Sequence, residues 1–175
     1  MADARRRAAG TRSRASGEAF EKWIAASCGF YQSEGVAVIE KTPEPMKPLG
    51  RPDRYGRFQA CFTKQAQPDF KGALCDGSCV IFDAKHTEKD RIRQGAITEA
   101  QWETFDRYEA MGARCFVVVS LGLASFYRVP WGVWKRMKEL FGHKHMAGEE
   151  LEEYRVPDRD GRVLFLEGVE LRDED

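Results

Sequence analysis

Two carboxylates and an amine fall close together in one short stretch of the sequence, "QPDFKGALCDGSCVIFDAKHT". Asp69 precedes one short run of strand-forming residues, and Asp83 and Lys85 lie at the end of the next run. The turn signal "CDGS" between the runs predicts a β-hairpin, which would bring Asp69 towards Asp83. Residues two apart on a strand leave the same face of a sheet, so Asp83 and Lys85 would share one face.

This set of groups has a definite chemical use. Two carboxylates held together repel each other unless a cation lies between them. Hard oxygen ligands with incomplete protein coordination favour Mg²⁺ or Mn²⁺, with waters and a phosphate oxygen in the remaining positions. Lys85 beside such an ion would orient or deprotonate an attacking water and offset charge on phosphorus, which gives phosphodiester hydrolysis. In the alternative interpretation Asp69 caps a turn, and Asp83 and Lys85 pair on an exposed sheet face.

Two predicted helices carry further polar groups towards the same place. The first begins at a Ser16 cap and ends near Gly29, and Glu21 lies just beside its apolar stripe. The second is closed by Gly112, and Gln101 lies in the middle of its apolar stripe. A buried amide must find partners, either on the backbone or at a site that contains the lysine or the attacking water.

The elements around these residues predict the fold class. They follow the order helix, strand, strand, strand, helix, strand, with additions at the end, which predicts an α/β fold with a mixed sheet between helices. The segment from Pro43 to about Lys64 is polar and rich in Pro, Arg and Gly. A loop of that length is usually functional or disordered, so it is either a long loop or an excursion from the body.

Composition limits the class of protein. A chain of 175 residues with 42% hydrophobic and 32% charged residues is typical of one globular domain. No apolar run reaches the roughly 18 residues of a membrane helix, and the Arg-rich start lacks the apolar stretch of a secretory signal, so we expect a cytoplasmic protein. Five cysteines without a CxxC pair indicate reduced thiols.

The charges are unevenly distributed, although the formal net charge is zero. Arginines crowd the first fourteen positions and acids crowd the end. We therefore expect a flexible basic arm over residues 1–15, which either faces a polyanion or is simply solvated. The remaining predicted units are a main domain over 16–145, with an insertion at about 43–66, and an acidic extension over 146–175.

The motif P-D-(x)13-D-x-K, preceded by an acidic helix and followed by a Gln-bearing helix, resembles the PD-(D/E)xK nuclease superfamily. The segments "GEAFEKWI", "GVAVIEKTPEPMKP", "QPDFKGAL", "VIFDAKHT", "EAQWETFDRYEAMGARCFVVVSLG" and "FYRVPW" follow, in order, the pattern of RecU-type Holliday junction resolvases. The resemblance covers roughly residues 17–141. Asp83 departs from it, because the family usually has Glu there.

The resemblance implies that residues 16–145 form a nuclease domain with a restriction-endonuclease-like core, in which helices flank a central mixed β-sheet. The insertion at about 43–66 then corresponds to a projecting stalk that enters a DNA junction. It also implies a homodimeric, Mg²⁺-dependent endonuclease of recombination and repair that nicks symmetric strands of a four-way DNA junction, with a RecA-type recombinase as a candidate partner. The residues that match the family's site are the metal ligands Asp69 and Asp83, and with them Glu21, Lys85 and Gln101.

DNA contacts are expected on the arm, on the stalk and beside the site. Basic side chains neutralise phosphates, and aromatic rings among them can stack on unpaired bases. His86 either contacts phosphate or is an exposed loop histidine. The candidate DNA-binding residues are Arg12, Arg14, Lys47, Arg51, Arg54, Tyr55, Arg57 and Thr87.

Two other functions stay open from the sequence. One keeps the chemistry but relaxes the substrate, giving a structure-tolerant DNA nickase or exonuclease of the same superfamily. The other is a non-catalytic, recombinase-associated DNA-binding protein. Substitution of Asp83 or Lys85 by alanine separates an enzyme from a binding protein. It should abolish cleavage while sparing binding in an enzyme, and it should change nothing measurable in a binding protein.

Overall fold

A computed structural model describes residues 2–43, 46–62, 67–169 and 171, with backbone alone for 2–13 and 62. The helices are α1 Ala2–Ser33, α2 Glu99–Ala110, α3 Trp131–Lys135, α4 Met137–Phe141 and α5 Glu149–Glu152, with a 3₁₀ helix at Gln94–Ala96. The strands are β1 Ala37–Lys41, β2 Met46–Pro48, β3 Ala60–Phe62, β4 Phe70–Leu74, β5 Cys79–Thr87, β6 Arg91–Arg93, β7 Arg114–Leu121, β8 Ser125–Pro130, β9 His145–Ala147, β10 Arg155–Val156, β11 Asp158–Arg159 and β12 Arg162–Val163.

A six-stranded sheet in the order β1-β4-β5-β7-β8-β10 forms the centre of the molecule. Strands β5 and β7 are parallel, and the other pairs are antiparallel. The parallel pair needs a long crossover, which contains α2. The predicted α/β fold, with a central mixed sheet flanked by helices, is confirmed.

The two faces of the sheet bury separate cores, because alternate residues of each strand point to opposite sides. On one face α1 packs Phe20 and Ile24 against Phe82 and Val118. On the other face Ile81 and Val117 pack with residues of α2, α3 and α4, including Phe105, Trp131 and Met137. Asp83 and Lys85 lie two and four residues after Ile81, so they belong to the second face.

The first helix is longer than the sequence predicted. It starts at Ala2 instead of at Ser16, and it passes through Gly29 to Ser33. Alanine and arginine have high helix propensity, so the first residues continue the helix. At the other end, burial of Cys28 and Tyr31 keeps Gly29 in the helix. Residues 1–15, predicted to be a flexible arm, therefore lie largely on α1.

The predicted stalk contains a two-stranded hairpin outside the central sheet. Strands β2 and β3 pair antiparallel, with Lys47 opposite Cys61, and the loop between them is exposed. Asp53 closes the tip, because its carboxylate accepts hydrogen bonds from the backbone N–H groups of Tyr55 and Arg57. These bonds lower the pKa of the Asp53 carboxyl. Residues 44–45 and 63–66 of the predicted stalk lie outside the described residues.

The acidic end of the sequence is not a separate extension. Residues after 145 contribute Met146, Leu151, Val163 and Phe165 to the two cores. Met146 and Leu151 stand singly among mostly polar and charged residues, whereas Val163 and Phe165 belong to the apolar run "VLFL", which the acidic composition around it made easy to overlook. Boundaries placed at 145 and 146 therefore cut through one packed body. Among the described residues no helix is long and apolar enough to cross a membrane.

Candidate active site

The β4–β5 hairpin brings Asp69 and Asp83 together. Phe70 pairs with Phe82, so Asp69 and Asp83 lie at the next position along the two strands. The Asp69 backbone N–H donates to Asp83 Oδ1 at 3.2 Å. The Ala84 backbone N–H donates to Asp69 Oδ2 at 3.1 Å. Each carboxylate thus accepts a hydrogen bond from the opposite strand, and this exchange fixes both oxygens at the end of the hairpin.

The Asp83 carboxylate is the buried member of the pair, with none of its side chain exposed. Lys85 lies on the same face and places its Nζ 2.5 Å from Asp83 Oδ2. Burial raises the pKa of the Asp83 carboxyl above the range of an ordinary aspartate; Lys85 lowers it, and the charge of Asp69 raises it again. Lys85 offsets only part of the effect of burial, so a further positive charge beside Asp83 would stabilise its ionised form.

Gln101 completes the surroundings of Asp83 from α2. Its Nε2 donates to Oδ1 and Oδ2 of Asp83 at 3.1 and 3.2 Å. Its Oε1 accepts from the backbone N–H of Thr98 at 3.0 Å, and the Gln101 N–H donates to the Thr98 hydroxyl in return. The Gln101 side chain therefore has two roles. Its oxygen bonds the backbone at the start of α2, and its NH₂ group orients the buried Asp83 carboxylate.

Thr98 is a positioning residue that the sequence analysis did not single out. A threonine three residues before a glutamine is the capping-box pattern, and it marks the start of α2. That pattern was readable in "TEAQ". It predicts the local bond to the helix terminus, whereas the contact of Gln101 with Asp83 depends on how α2 packs on the sheet.

Glu21 occupies a different place from the other four predicted residues. It lies on α1, whose apolar face packs on the opposite side of the sheet, and it pairs with Lys41 at the end of β1. Lys41 in turn is opposite Phe70, the neighbour of Asp69. The described contacts therefore bring together Asp69, Asp83, Lys85 and Gln101, and place Glu21 at the edge of that group.

The candidate DNA-binding residues lie in three places. Thr87 ends β5, two residues beyond Lys85. Arg14 is on α1 and exposed, whereas the side chain of Arg12 lies outside the described residues. On the stalk, the guanidinium carbons of Arg54 and Arg57 lie 4.7 and 5.0 Å from the centroid of the Tyr55 ring. The stalk residues are all exposed: Lys47, Arg51, Arg54, Tyr55 and Arg57.

His86 is not an exposed loop residue. It belongs to β5, its side chain is 2% exposed, and it points away from Lys85. Its ring nitrogens lie 3.2 Å from the Ser120 hydroxyl and 3.0 Å from a Glu88 oxygen. Burial of the ring between these partners ties β5 to β7 directly behind the lysine.

The donor set fits a hard divalent cation. Asp69 and Asp83 supply carboxylate oxygens, and the raised pKa of the Asp83 carboxyl shows that the site stabilises this acid poorly without added positive charge. Among the described residues no group of three or more His, Cys, Asp or Glu side chains could hold a metal. Asp69 and Asp83 supply two carboxylates, so water and a phosphate oxygen would complete the coordination of a divalent cation.

A mixed sheet that presents P-D and D-x-K on one hairpin, with both acids and the lysine on one side, defines a nuclease of the PD-(D/E)xK superfamily. The family model described as "Recombination protein U" matches residues 15–170. The chain belongs to this RecU family.

Several named proteins resemble the chain. A protein of Bacillus pumilus (strain SAFR-032) named "Holliday junction resolvase RecU" is 29% identical over 161 residues, which cover 82% of this chain and 77% of that protein. One of the same name from Streptococcus oralis is 32% identical over 109 residues, 59% of this chain, and the match spans about half (54%) of that relative's length. Among solved structures, Hjc of Archaeoglobus fulgidus, titled a Holliday junction resolvase, has a TM-score of 0.49 and 11% identity, covering 79% of this chain and 93% of that one.

Proposed function

We propose that this protein is a metal-dependent endodeoxyribonuclease that resolves four-way (Holliday) DNA junctions by paired, symmetric phosphodiester hydrolysis. The observation that carries the proposal is the juxtaposition of Asp69, Asp83 and Lys85 at the end of one hairpin. The names of the RecU relatives support the substrate, since those proteins are Holliday junction resolvases. The exposed stalk supports it as well, because its basic and aromatic side chains suit unpaired bases at a junction centre.

Asp69 and Asp83 would hold the divalent cation, Mg²⁺ or Mn²⁺, which when bound supplies charge stabilisation and a more acidic water. The protein's own residues do the positioning. Gln101 and the Asp69 N–H fix the orientation of the Asp83 carboxylate. Lys85, about a quarter exposed, is the accessible cation of the group, so its ammonium can donate to the attacking water or to the phosphate.

Paired symmetric cuts require two such sites related by a two-fold axis, which a homodimer supplies. The family resemblance supports this assembly, and a RecA-type recombinase is the partner that its role in recombination and repair suggests. The position of Lys85 argues against a purely DNA-binding role, because binding alone does not require an amine held 2.5 Å from the buried Asp83 carboxylate.

The test uses purified protein with Mg²⁺ and matched four-way, flap and linear DNA substrates. We expect paired, symmetric nicks on the four-way junction only. The Lys85→Ala variant should lose cleavage by at least ~10²-fold, as expected for loss of a transition-state donor, and should retain junction binding measured without divalent cations. Lys138→Ala, an exposed lysine on α4, is the matched control and should cleave normally.

Other outcomes lead to other functions. Equal cleavage of all three substrates would indicate a structure-tolerant nickase or exonuclease. Junction binding without cleavage under any divalent cation would leave the non-catalytic interpretation.

A further inference from the structure

A basic groove continues from the end of the candidate active-site strand. It encloses about 620 Å³ and runs from Thr87, at the end of β5, along β6. Its cationic lining consists of Lys89, Arg91, Arg93 and Lys144. None of these four residues belongs to the DNA-binding set expected from the sequence.

The fold holds the groove in shape. Ile92 in the middle of β6 is buried, so Arg91 and Arg93, on either side of it, both point outward. Strand β6 pairs with β9, where Arg93 is opposite His145, the neighbour of Lys144. The buried Gln94 side chain donates to the Trp134 carbonyl oxygen at 2.8 Å and anchors the end of β6 to α3. The pairing with β9 and the Gln94 hydrogen bond therefore fix the position of Arg91 and Arg93 in the groove.

The charges of the groove are largely available to a ligand. No acidic residue is among the described residues that line it. Arg91 pairs with Asp90 at 3.1 Å at the rim. Within the described part of the chain, Lys89, Arg93 and Lys144 form no ion pair, and all three are exposed. Cations held side by side in a concave surface favour a polyanion that can bridge them.

The groove is continuous with the catalytic groups. Lys85 and Thr87 leave the same face of β5, and two residues of strand span about 6.6 Å. Thr87 lines the groove, so the cationic surface begins two residues along β5 from Lys85, the candidate catalytic lysine. DNA carries one phosphate per about 3.4 Å of axis on each strand. A strand whose phosphate lies at Lys85 would therefore place its next phosphates over the groove.

We propose that this groove holds the backbone phosphates of the cleaved DNA strand next to the scissile phosphate, on the side of Thr87. The inference rests on the proposed nuclease function. The contacts are to phosphate, so they position the duplex arm and carry no sequence information of their own. The stalk would engage the junction centre, while the groove sets which phosphate reaches Lys85.

A salt titration tests the contact without any cleavage. The double variant Arg93→Gln/Lys144→Gln removes two charges, and Arg159→Gln, an exposed arginine on β11 outside the groove, is the control. Affinity for a linear duplex and for a four-way junction is measured without divalent cations at several salt concentrations. Each lost phosphate contact should reduce the slope of log affinity against log salt by about 0.9. We therefore expect a reduction of about 1.8 for the double variant and none for the control.

Neutral methylphosphonates placed singly around the scissile position identify the phosphates. Wild-type protein should lose affinity at one or two positions on one side of that site, and Arg93→Gln/Lys144→Gln should be insensitive there. The inference is overturned if the salt slope of the double variant equals that of the wild type. It is also overturned if the double variant is as sensitive as the wild type to a methylphosphonate at every position. If the salt slopes change as expected while no substrate is cleaved, the groove stands as a surface that binds DNA phosphates and the proposed nuclease function fails. If the wild type cleaves junctions and the salt slope of the double variant is unchanged, the proposed function stands and the inference about the groove fails.

Discussion

Replacing Gln101 by methionine removes the amide that orients Asp83 while keeping similar side-chain volume. The amide donates to both oxygens of the buried carboxylate, and a lost hydrogen bond to a charged group costs about 1.5–3 kcal/mol. Loss of the bond from Thr98 at the helix terminus adds about 1 kcal/mol. We expect the free energy of unfolding to fall by about 3 kcal/mol, which lowers Tm by about 6–12 °C for a chain of this size.

The matched control is Thr98→Ala, which removes the capping hydroxyl and leaves the Gln101 amide on Asp83. It should cost only about 1 kcal/mol. Thermal unfolding followed by circular dichroism compares the two variants, and single-turnover junction cleavage shows whether rate falls with Gln101→Met while DNA affinity is kept. If Gln101→Met melts no lower than Thr98→Ala, the amide does not stabilise the buried carboxylate and the reasoning is wrong.

Three further outcomes follow from particular residues. A Cβ added at Gly72 would lie 2.0 Å from the Val38 carbonyl oxygen, so Gly72→Ala should cost about 1–3 kcal/mol in urea unfolding; Gly95→Ala, which meets open space, should not. Tyr55→Ala should weaken binding to a four-way junction by about 1–3 kcal/mol and leave duplex binding unchanged if the ring stacks on bases; fluorescence anisotropy checks both. The pKa of Asp53 is lowered by backbone N–H groups of its loop, so the order of the stalk tip should be present above pH 3.8 and lost as pH falls through the lowered pKa, as an NMR titration would reveal.

The hairpin was predictable because its signals are local. The "CDGS" turn and the short apolar runs on either side predict β4, β5 and their pairing. The burial of Gln101 followed from the 3.6-residue period of α2. The period does not identify the partner of the amide. Gln101 donates to Asp83, and that contact depends on where the crossover places α2 on the sheet.

Other features depended on contacts distant in sequence. Glu21 lies beside the apolar stripe of α1, as predicted, but the face of the sheet that receives α1 is decided by the whole fold. The charged segment "HTEKDRIRQG" contains β6, because the strand that pairs with it, His145–Ala147, lies more than fifty positions later. The segment "WGVWKRMKELFG" has no proline or glycine between Gly132 and Gly142, yet Arg136, with φ −98° and ψ 17°, divides it into α3 and α4.

The return of the last described segment onto α1 has a consequence during synthesis. The Val163 backbone N–H donates to the Ser27 hydroxyl, 136 positions earlier, and the Leu166 N–H donates to the Tyr31 hydroxyl. At about 5–20 residues per second, the ribosome needs about 7–27 s to make the chain between these partners. During that interval Phe82 and Val118 can already pack on Phe20 and Ile24, whereas Ser27 and Tyr31 still lack their partners. The C-terminal half of the first helix is therefore completed last.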